Sequence, residues 1–112
     1  MAATETQSPS AIARQNDQFR RHPGVGWMLT AGVQAKGPVF ALAAVSAVRA
    51  FEAFTSDNDP HGERDFGSFV VCCERLFWKI DYYDQDLRFG SEDPSDPAVT
   101  RRIMTIMLAS EY

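Results

Sequence analysis

Apolar and polar positions alternate most clearly between Phe66 and Ile80, in the stretch F-G-S-F-V-V-C-C-E-R-L-F-W-K-I. Side chains along a strand point to opposite faces in turn, so a period of two predicts strands. Two such runs meeting at Cys73-Glu74 predict a β-hairpin. With that pair as a two-residue loop, Cys72 faces Arg75, Val71 faces Leu76, Phe69 faces Trp78 and Gly67 faces Ile80. One face then collects Phe69, Val71, Leu76, Trp78 and Ile80. The other collects Ser68, Val70, Cys72, Arg75, Phe77, Lys79 and Asp81, as in an antiparallel sheet with one side packed. A one-residue slip would mix the two sets. The tip lacks an Asn-Gly signal, so a longer loop through Cys72 to Arg75 is the other way to close it. The second strand leaves through an aromatic, acidic exit, I-D-Y-Y-D-Q-D.

Other periodicities place the remaining elements. Ser10 is a helix cap for Ala11 to about Arg21, with Pro23 marking the end. Only Ile12 and Phe19 form an apolar stripe there, so a peripheral helix is expected. Gly24 to Val33 reads as a strand, with Trp27, Leu29, Ala31 and Val33 alternating against Met28, Thr30 and Gly32. Lys36-Gly37-Pro38 is a turn, and Pro38 suits a first helical position. Val39 to about Phe54 carries Phe40, Ala44, Ala47, Val48, Phe51 and Phe54 at helical spacing, a stripe wide enough to bury against a sheet. Leu87 to Pro97 is a loop. Asp96 and Pro97 then open a final helix, Ala98 to about Ser110, with Val99, Ile103, Ile106 and Met107 on one side. Arg101 and Arg102 would face the acidic loops from its first turn.

The predicted order is α-β-α-β-β-α. It implies an α+β fold: a three-stranded, mostly antiparallel sheet with helices packed on one face. Residues 10–112 form a single domain and residues 1–9 a loose N-terminus. A chain of 112 residues, 45% apolar, suits one domain with a small core. No apolar run approaches the roughly 18 residues of a membrane span. The first residues lack the basic and apolar regions of a secretion signal, so a cytoplasmic protein is expected. The two cysteines are adjacent and read as reduced thiols.

Charge changes this picture. Residues 1–56 hold five Lys or Arg and three acids, and residues 57–96 hold four against eleven, a local balance of −7 within a net −4. An acidic middle argues against direct binding of nucleic-acid phosphates, which takes a basic stripe. It suits a protein partner with a basic surface.

Two stretches could carry chemistry. The loop Asp57 to Asp65 sets Asp57, Asp59 and Gly62 at the first, third and sixth places of a calcium loop. His61 stands fifth and Ser68 twelfth, where a bidentate Glu is needed, so Asp57, Asp59 and His61 are weak metal candidates. His61 beside a carboxylate is also the one general-base arrangement available, with nothing fixing its spacing. The second stretch is the exit: Asp81, Tyr82, Tyr83, Asp84 and Asp86, with Glu92 and Asp93 in the loop beyond. Tyrosine combines apolar area with a polar tip and is common in binding surfaces. These seven residues are the expected partner-binding set. No catalytic residue and no cofactor is assigned.

The strings F-E-A-F-T-S-D-N-D-P-H-G-E-R-D-F-G at 51–67, F-W-K-I-D-Y-Y-D at 77–84 and T-I-M-L-A-S-E-Y at 105–112 resemble an uncharacterised proteobacterial family, domain of unknown function 3768. The likeness runs from about Ala11 to the end and includes Q-N-D-Q-F-R. Cys72-Cys73 stands in place of the family's more usual acidic or glycine-containing tip. The resemblance implies no activity, cofactor or catalytic residue. It implies an association with plasmids and other mobile elements, near anti-restriction genes.

Together these readings lead to an expectation of a small acidic, non-enzymatic interaction protein of a mobile element. It would inhibit a host-defence nucleoprotein, of CRISPR or restriction type, by occupying a basic surface. Two alternatives come from other classes: a metal-dependent hydrolase or nuclease on the Asp57–Asp65 loop, and a structural subunit that self-associates through a free sheet edge, as monomer or homodimer.

Overall fold

A computed structural model describes residues 10–112; the expected loose segment 1–9 lies outside them. The fold is mixed α+β. Helix α1 (Ala11–Arg21) is followed by strand β1 (Trp27–Leu29), a short helix α2 (Ala31–Ala35) and helix α3 (Pro38–Arg49). Strands β2 (Phe66–Val71), β3 (Glu74–Tyr83) and β4 (Arg101–Leu108) come next, with a closing 3₁₀ turn over Ala109–Glu111. The sheet has four strands rather than the expected three, in the order β1-β4-β3-β2. β4 runs antiparallel to β3 and parallel to β1.

The expected final helix is the strand β4. The spacing of Val99, Ile103, Ile106 and Met107 is helical, but Met104, Ile106 and Leu108 alternate and are the buried set on the packed face. Met107 is buried from the other face, so the run is apolar on both sides and fits either period. The sheet decides between them. β3 would otherwise leave a row of unpaired backbone groups, and β4 pairs it at eight positions from Leu76↔Leu108 to Tyr83↔Arg101. Asp96 does accept a bond from the Ala98 amide (2.9 Å), but it closes a turn rather than opening a helix.

Two other elements are shorter than expected. The strand at Gly24–Val33 keeps only three residues, because Thr30 caps α2 with its hydroxyl. α3 stops at Arg49 instead of Phe54. Its terminal carbonyls, on Val48 and Arg49, accept from the Arg20 guanidinium at 3.0 and 3.4 Å, so no further turn is needed to satisfy them. The chain then turns, and Phe51 and Phe54 still reach Trp78 edge-on at 5.5 and 6.1 Å.

The hairpin keeps its two faces but not its register. Cys72 and Cys73 form the tip, so Val71 opposes Glu74, Phe69 opposes Leu76 and Gly67 opposes Trp78. The shift preserves the alternation, and Leu76, Trp78 and Ile80 are buried on the packed face. Gly67 supplies the reason: any Cβ there would collide with the Trp78 indole and the Phe51 ring. Both cysteines take left-handed φ, 50° and 66°, as a type I′ turn requires. That conformation costs about 1–2 kcal/mol per residue with a Cβ. Seating a buried tryptophan is worth more.

At the far end of β4, Glu111 clasps the chain terminus to α2. Its carboxylate accepts from the Thr30 hydroxyl (2.6 Å), the Gly32 amide (3.0 Å) and the Leu108 amide (2.8 Å). The Thr30 bond, then the amide bonds, hold this carboxyl below the ordinary glutamate range.

Trp78→Ala is expected to cost about 3–5 kcal/mol, the range for truncating a buried aromatic. Tyr83→Ala, at a half-exposed strand end, should cost about 1 kcal/mol or less. Urea unfolding of both variants checks the ranking, and equal midpoints would contradict the packing.

Candidate interaction surface

The packed face of the sheet changes character along its strands. Leu76, Trp78 and Ile80 on β3 lie beside Leu108, Ile106 and Met104 on β4. The next pair is Tyr82 and Arg102. A polar pair at the end of a core needs polar partners, and α1 supplies them. The helix is not peripheral, as its two apolar residues suggested; it buries Ala13, Asn16, Asp17 and Arg20.

Asn16 donates to the Tyr82 hydroxyl (2.8 Å) and the Glu63 carbonyl (2.9 Å), and its amide oxygen accepts from Arg102 Nε (2.7 Å). The Tyr82 hydroxyl donates to the Glu63 carboxylate (3.0 Å). Burial, then the nearby Asp65 and Glu63 carboxylates, push this phenol well above the ordinary tyrosine range, against the Asn16 bond. Burial likewise lowers Arg102, opposed by Tyr82 and Glu63. Asp17 bridges two arginines, Arg20 at 3.0 Å and Arg64 at 2.8 Å. The Arg20 guanidinium lies 5.5 Å from both the Phe54 and Trp78 ring centres.

Beyond Tyr83 the chain enters an acidic loop pinned from several sides. Arg102 donates to the Pro94 carbonyl (2.7 Å), Gln15 to the Ser95 carbonyl (2.6 Å) and Gln85 to the Ala98 carbonyl (2.9 Å). Asp84 opens a tight turn: its carboxylate accepts from the Arg88 amide (3.0 Å), its own amide donates to the Phe89 carbonyl (2.8 Å), and Leu87 takes φ 59°. That turn throws Phe89 outward, where it is 72% exposed. Phe89 lines a half-open groove of about 550 Å³ with Asp84, Gln85, Gly90, Glu92 and Val99.

The seven expected binding residues fall into different places. Asp84 and Glu92 line the groove, and Asp86 is exposed in the same loop. Tyr83 pairs with Arg101 and bridges Gly90. Tyr82 turns inward to the network described above. Asp93 accepts from the Ser95 amide (3.1 Å) and hydroxyl (2.5 Å) within its own turn. Asp81 pairs with Lys79 at 3.3 Å on the uncovered sheet face. Phe89 escaped the sequence reading, and Val99 was expected on a helix stripe instead; the signal for Phe89 was an apolar residue inside a run of acids and turn formers.

Asp59 accepts from the Arg64 amide (3.0 Å), and Asn58 ties the same loop to Thr55 and Ala53. Among the described residues, no group of three or more His, Cys, Asp or Glu is placed to hold a metal ion. Asp65 lies near this loop, half-buried; burial, then the Glu63 charge, raise its carboxyl above the ordinary range.

Residues 29–111 match the family described as "Protein of unknown function (DUF3768)". The chain belongs to this family. No curated protein and no solved structure matches it. The DUF3768 match begins after α1, although the likeness seen in the sequence began near Ala11. Glu63, Arg64, Tyr82 and Arg102 therefore lie inside the DUF3768 region, while Asn16, Asp17 and Arg20, which complete their bonds, precede it.

Removing Asp17 leaves Arg20 and Arg64 without their shared carboxylate. Asp17→Ala should destabilise by about 3–5 kcal/mol, the cost of breaking a buried ion pair on one side. Glu52→Ala, which breaks the exposed Arg21–Glu52 pair, should cost about 1 kcal/mol or less. Thermal melts of the two variants give the comparison.

The chain has three tyrosines. In alkali, the folded state keeps the Tyr82 proton that an unfolded chain releases in the ordinary tyrosine range. Stability contributed by that proton is therefore fully present below the ordinary range and is lost as pH rises from there through the raised folded-state value. Phenolate absorbance should show one tyrosine that ionises only as the fold is lost. In Tyr82→Phe that late phase should disappear.

Proposed function

We propose that this DUF3768 chain is a small, acidic, non-enzymatic interaction protein that engages a basic surface on a protein partner through the Asp84–Val99 groove. The observation that carries the reading is Phe89: a largely exposed aromatic ring on a loop held rigid by its own turn, beside the carboxylates of Asp84 and Glu92. Aromatic side chains that stay exposed and ordered are the usual anchors of interfaces, and flanking charge sets partner choice and association rate. A groove lined by Phe89, Val99 and two carboxylates suits arginine or lysine side chains, whose apolar stems can lie on Phe89 while their heads meet the carboxylates. The −7 balance of residues 57–96 adds a longer-range field of the same sign.

Basic protein grooves commonly hold nucleic acid, so an acidic surface of this kind competes with phosphates. A host-defence nucleoprotein is the partner class we propose on that ground. The placement on a mobile element rests on the sequence resemblance alone.

The test starts from a tagged pull-down in the native host, followed by binding of the recovered partner at two salt concentrations. Asp86→Lys with Glu92→Lys should abolish binding and leave melting unchanged, since each reversal replaces an attraction with a repulsion and breaks no hydrogen bond or ion pair of the described fold. Phe89→Ala should weaken binding by about 2 kcal/mol or more, as for an interface anchor. Wild-type binding should fall steeply with salt, because exposed charges are screened beyond about 10 Å at 0.1 M. Binding that ignores salt and survives both variants removes the proposal. The melting temperature should stay unchanged with calcium, magnesium or manganese.

A further inference from the structure

The sheet has one covered face and one open face. Val33 of α2 and Phe40, Ala44 and Val48 of α3 pack with Leu76, Trp78 and Ile80. Asn16 of α1 bonds Tyr82 and Arg102 on that same side. Side chains alternate along a strand, so the intervening residues stand on the other face. There Phe77 lies between Ser68 of β2 and Met107 of β4, and Lys79 between Phe66 and Thr105. Three aromatic rings gather at this point. Phe66 and Phe77 meet at 5.3 Å between ring centres, and Tyr112 comes back over them at 6.1 and 5.3 Å. The closing turn sets Tyr112: its amide donates to the Ala109 carbonyl (3.2 Å), and the Glu111 carboxylate ties the turn to α2. Tyr112 is held in this way and is still 73% exposed.

Charge on this face runs against the chain as a whole. Arg75, Lys79 and Arg101 take open-face strand positions, against one carboxylate, Asp81. Three cations less one acid leave +2, in a chain of net −4. Of the eleven acids in residues 57–96, only Asp81 stands at such a position. Glu74 is on the covered side, where it pairs with Lys36 (3.0 Å), and the others lie outside the strands. The acidic balance that argued against phosphate contact is therefore carried by the loops. Arg75 donates to the Ser68 hydroxyl (2.6 Å), which sets its guanidinium beside the position opposite Phe77. Tyr83, paired with Arg101, closes the far end of the face.

We propose that the open sheet face is a platform for single-stranded nucleic acid, with bases stacked on the Phe66–Phe77–Tyr112 cluster and phosphates met by Arg75, Lys79 and Arg101. Rings held on a sheet and ringed by cations match both parts of such a strand: flat bases and a charged backbone. A duplex hides its base faces, so the aromatic cluster selects the unpaired form. The cations select a polyanion, because an apolar partner on the rings would leave three positive side chains against it. None of the groove residues takes part, so the platform is independent of the acidic surface.

Fluorescence anisotropy tests this on the full chain, with labelled oligothymidylate and oligouridylate of roughly 12 nucleotides and a duplex of the same length. At least one single strand should bind, and the duplex should bind more weakly. Three phosphate contacts give log affinity a slope of about −2 on log salt, and Arg101→Gln should flatten it by about 0.7. Tyr112→Ala should weaken binding about tenfold or more, and Tyr112→Trp, which keeps a stacking ring, should bind as wild type or tighter. Phe89→Ala, in the acidic groove, should leave binding unchanged. Circular-dichroism melts confirm that each variant is folded; should Tyr112→Ala fail to fold, Tyr112→Trp and the Arg101→Gln salt slope carry the test. Neither strand bound, a duplex bound as tightly as the strands, or a single strand bound equally by wild type, Tyr112→Ala and Arg101→Gln overturns the proposal.

Discussion

A buried guanidinium holds this fold together. Arg20 has no solvent exposure, and a charge so placed must be paired. Its partners come from three directions: Asp17 one turn back on α1, the last carbonyls of α3, and the faces of Phe54 and Trp78. Each contact fixes a different element. The carbonyl bonds end α3 at Arg49, which frees Phe51 and Phe54 to turn onto the sheet. Asp17 passes the constraint on to Arg64 in the α3–β2 loop. Arg20 Nε and Trp78 Nε1 are left without hydrogen-bond partners among the described residues. The Arg20 guanidinium nevertheless lies 5.5 Å from the Trp78 ring centre, a favourable cation–aromatic contact.

The same layer explains how the acidic loop is held while the carboxylates of Asp86 and Glu92 stay exposed. Arg102, Gln15 and Gln85 hold the loop by its backbone carbonyls, not by its acids. Arg102 is itself set by Asn16 and by the Tyr82 ring beneath it, 5.2 Å away. A chain of bonds thus runs from the core through α1 to the rim of the groove. It leaves Asp86 and Glu92 for a partner, with Phe89 between them in sequence. α1 precedes the family match and yet supplies four of the side chains on which this arrangement depends, Gln15, Asn16, Asp17 and Arg20.

The hairpin shows how tertiary packing overrules local preference. A two-residue tip of Cys72 and Cys73 is poor turn chemistry. It persists because Gly67 leaves the room that the indole of Trp78 occupies against β2. Moving the tip to better residues would set a bulky side chain against that ring.

Much of the molecule was legible in the sequence. The faces of the hairpin, the Ser10 cap, the Pro38 helix start and the core stripe of α3 follow from local periodicity and capping, which neighbouring residues determine. The acidic exit was visible as well, because charge is carried by composition. Three features were not. The run Arg101–Leu108 fits a helix or a strand equally, and only the unpaired flank of β3 decides for the strand. α1 reads as peripheral when apolar residues alone are counted, because its buried face is Asn16, Asp17 and Arg20, and polar residues show as core only when their partners are in place. The division of the exit into an inward Tyr82 and an outward Phe89 depends on which side of the sheet α1 covers. Sequence sets what each residue prefers; the bonds between distant segments decided which preferences were kept.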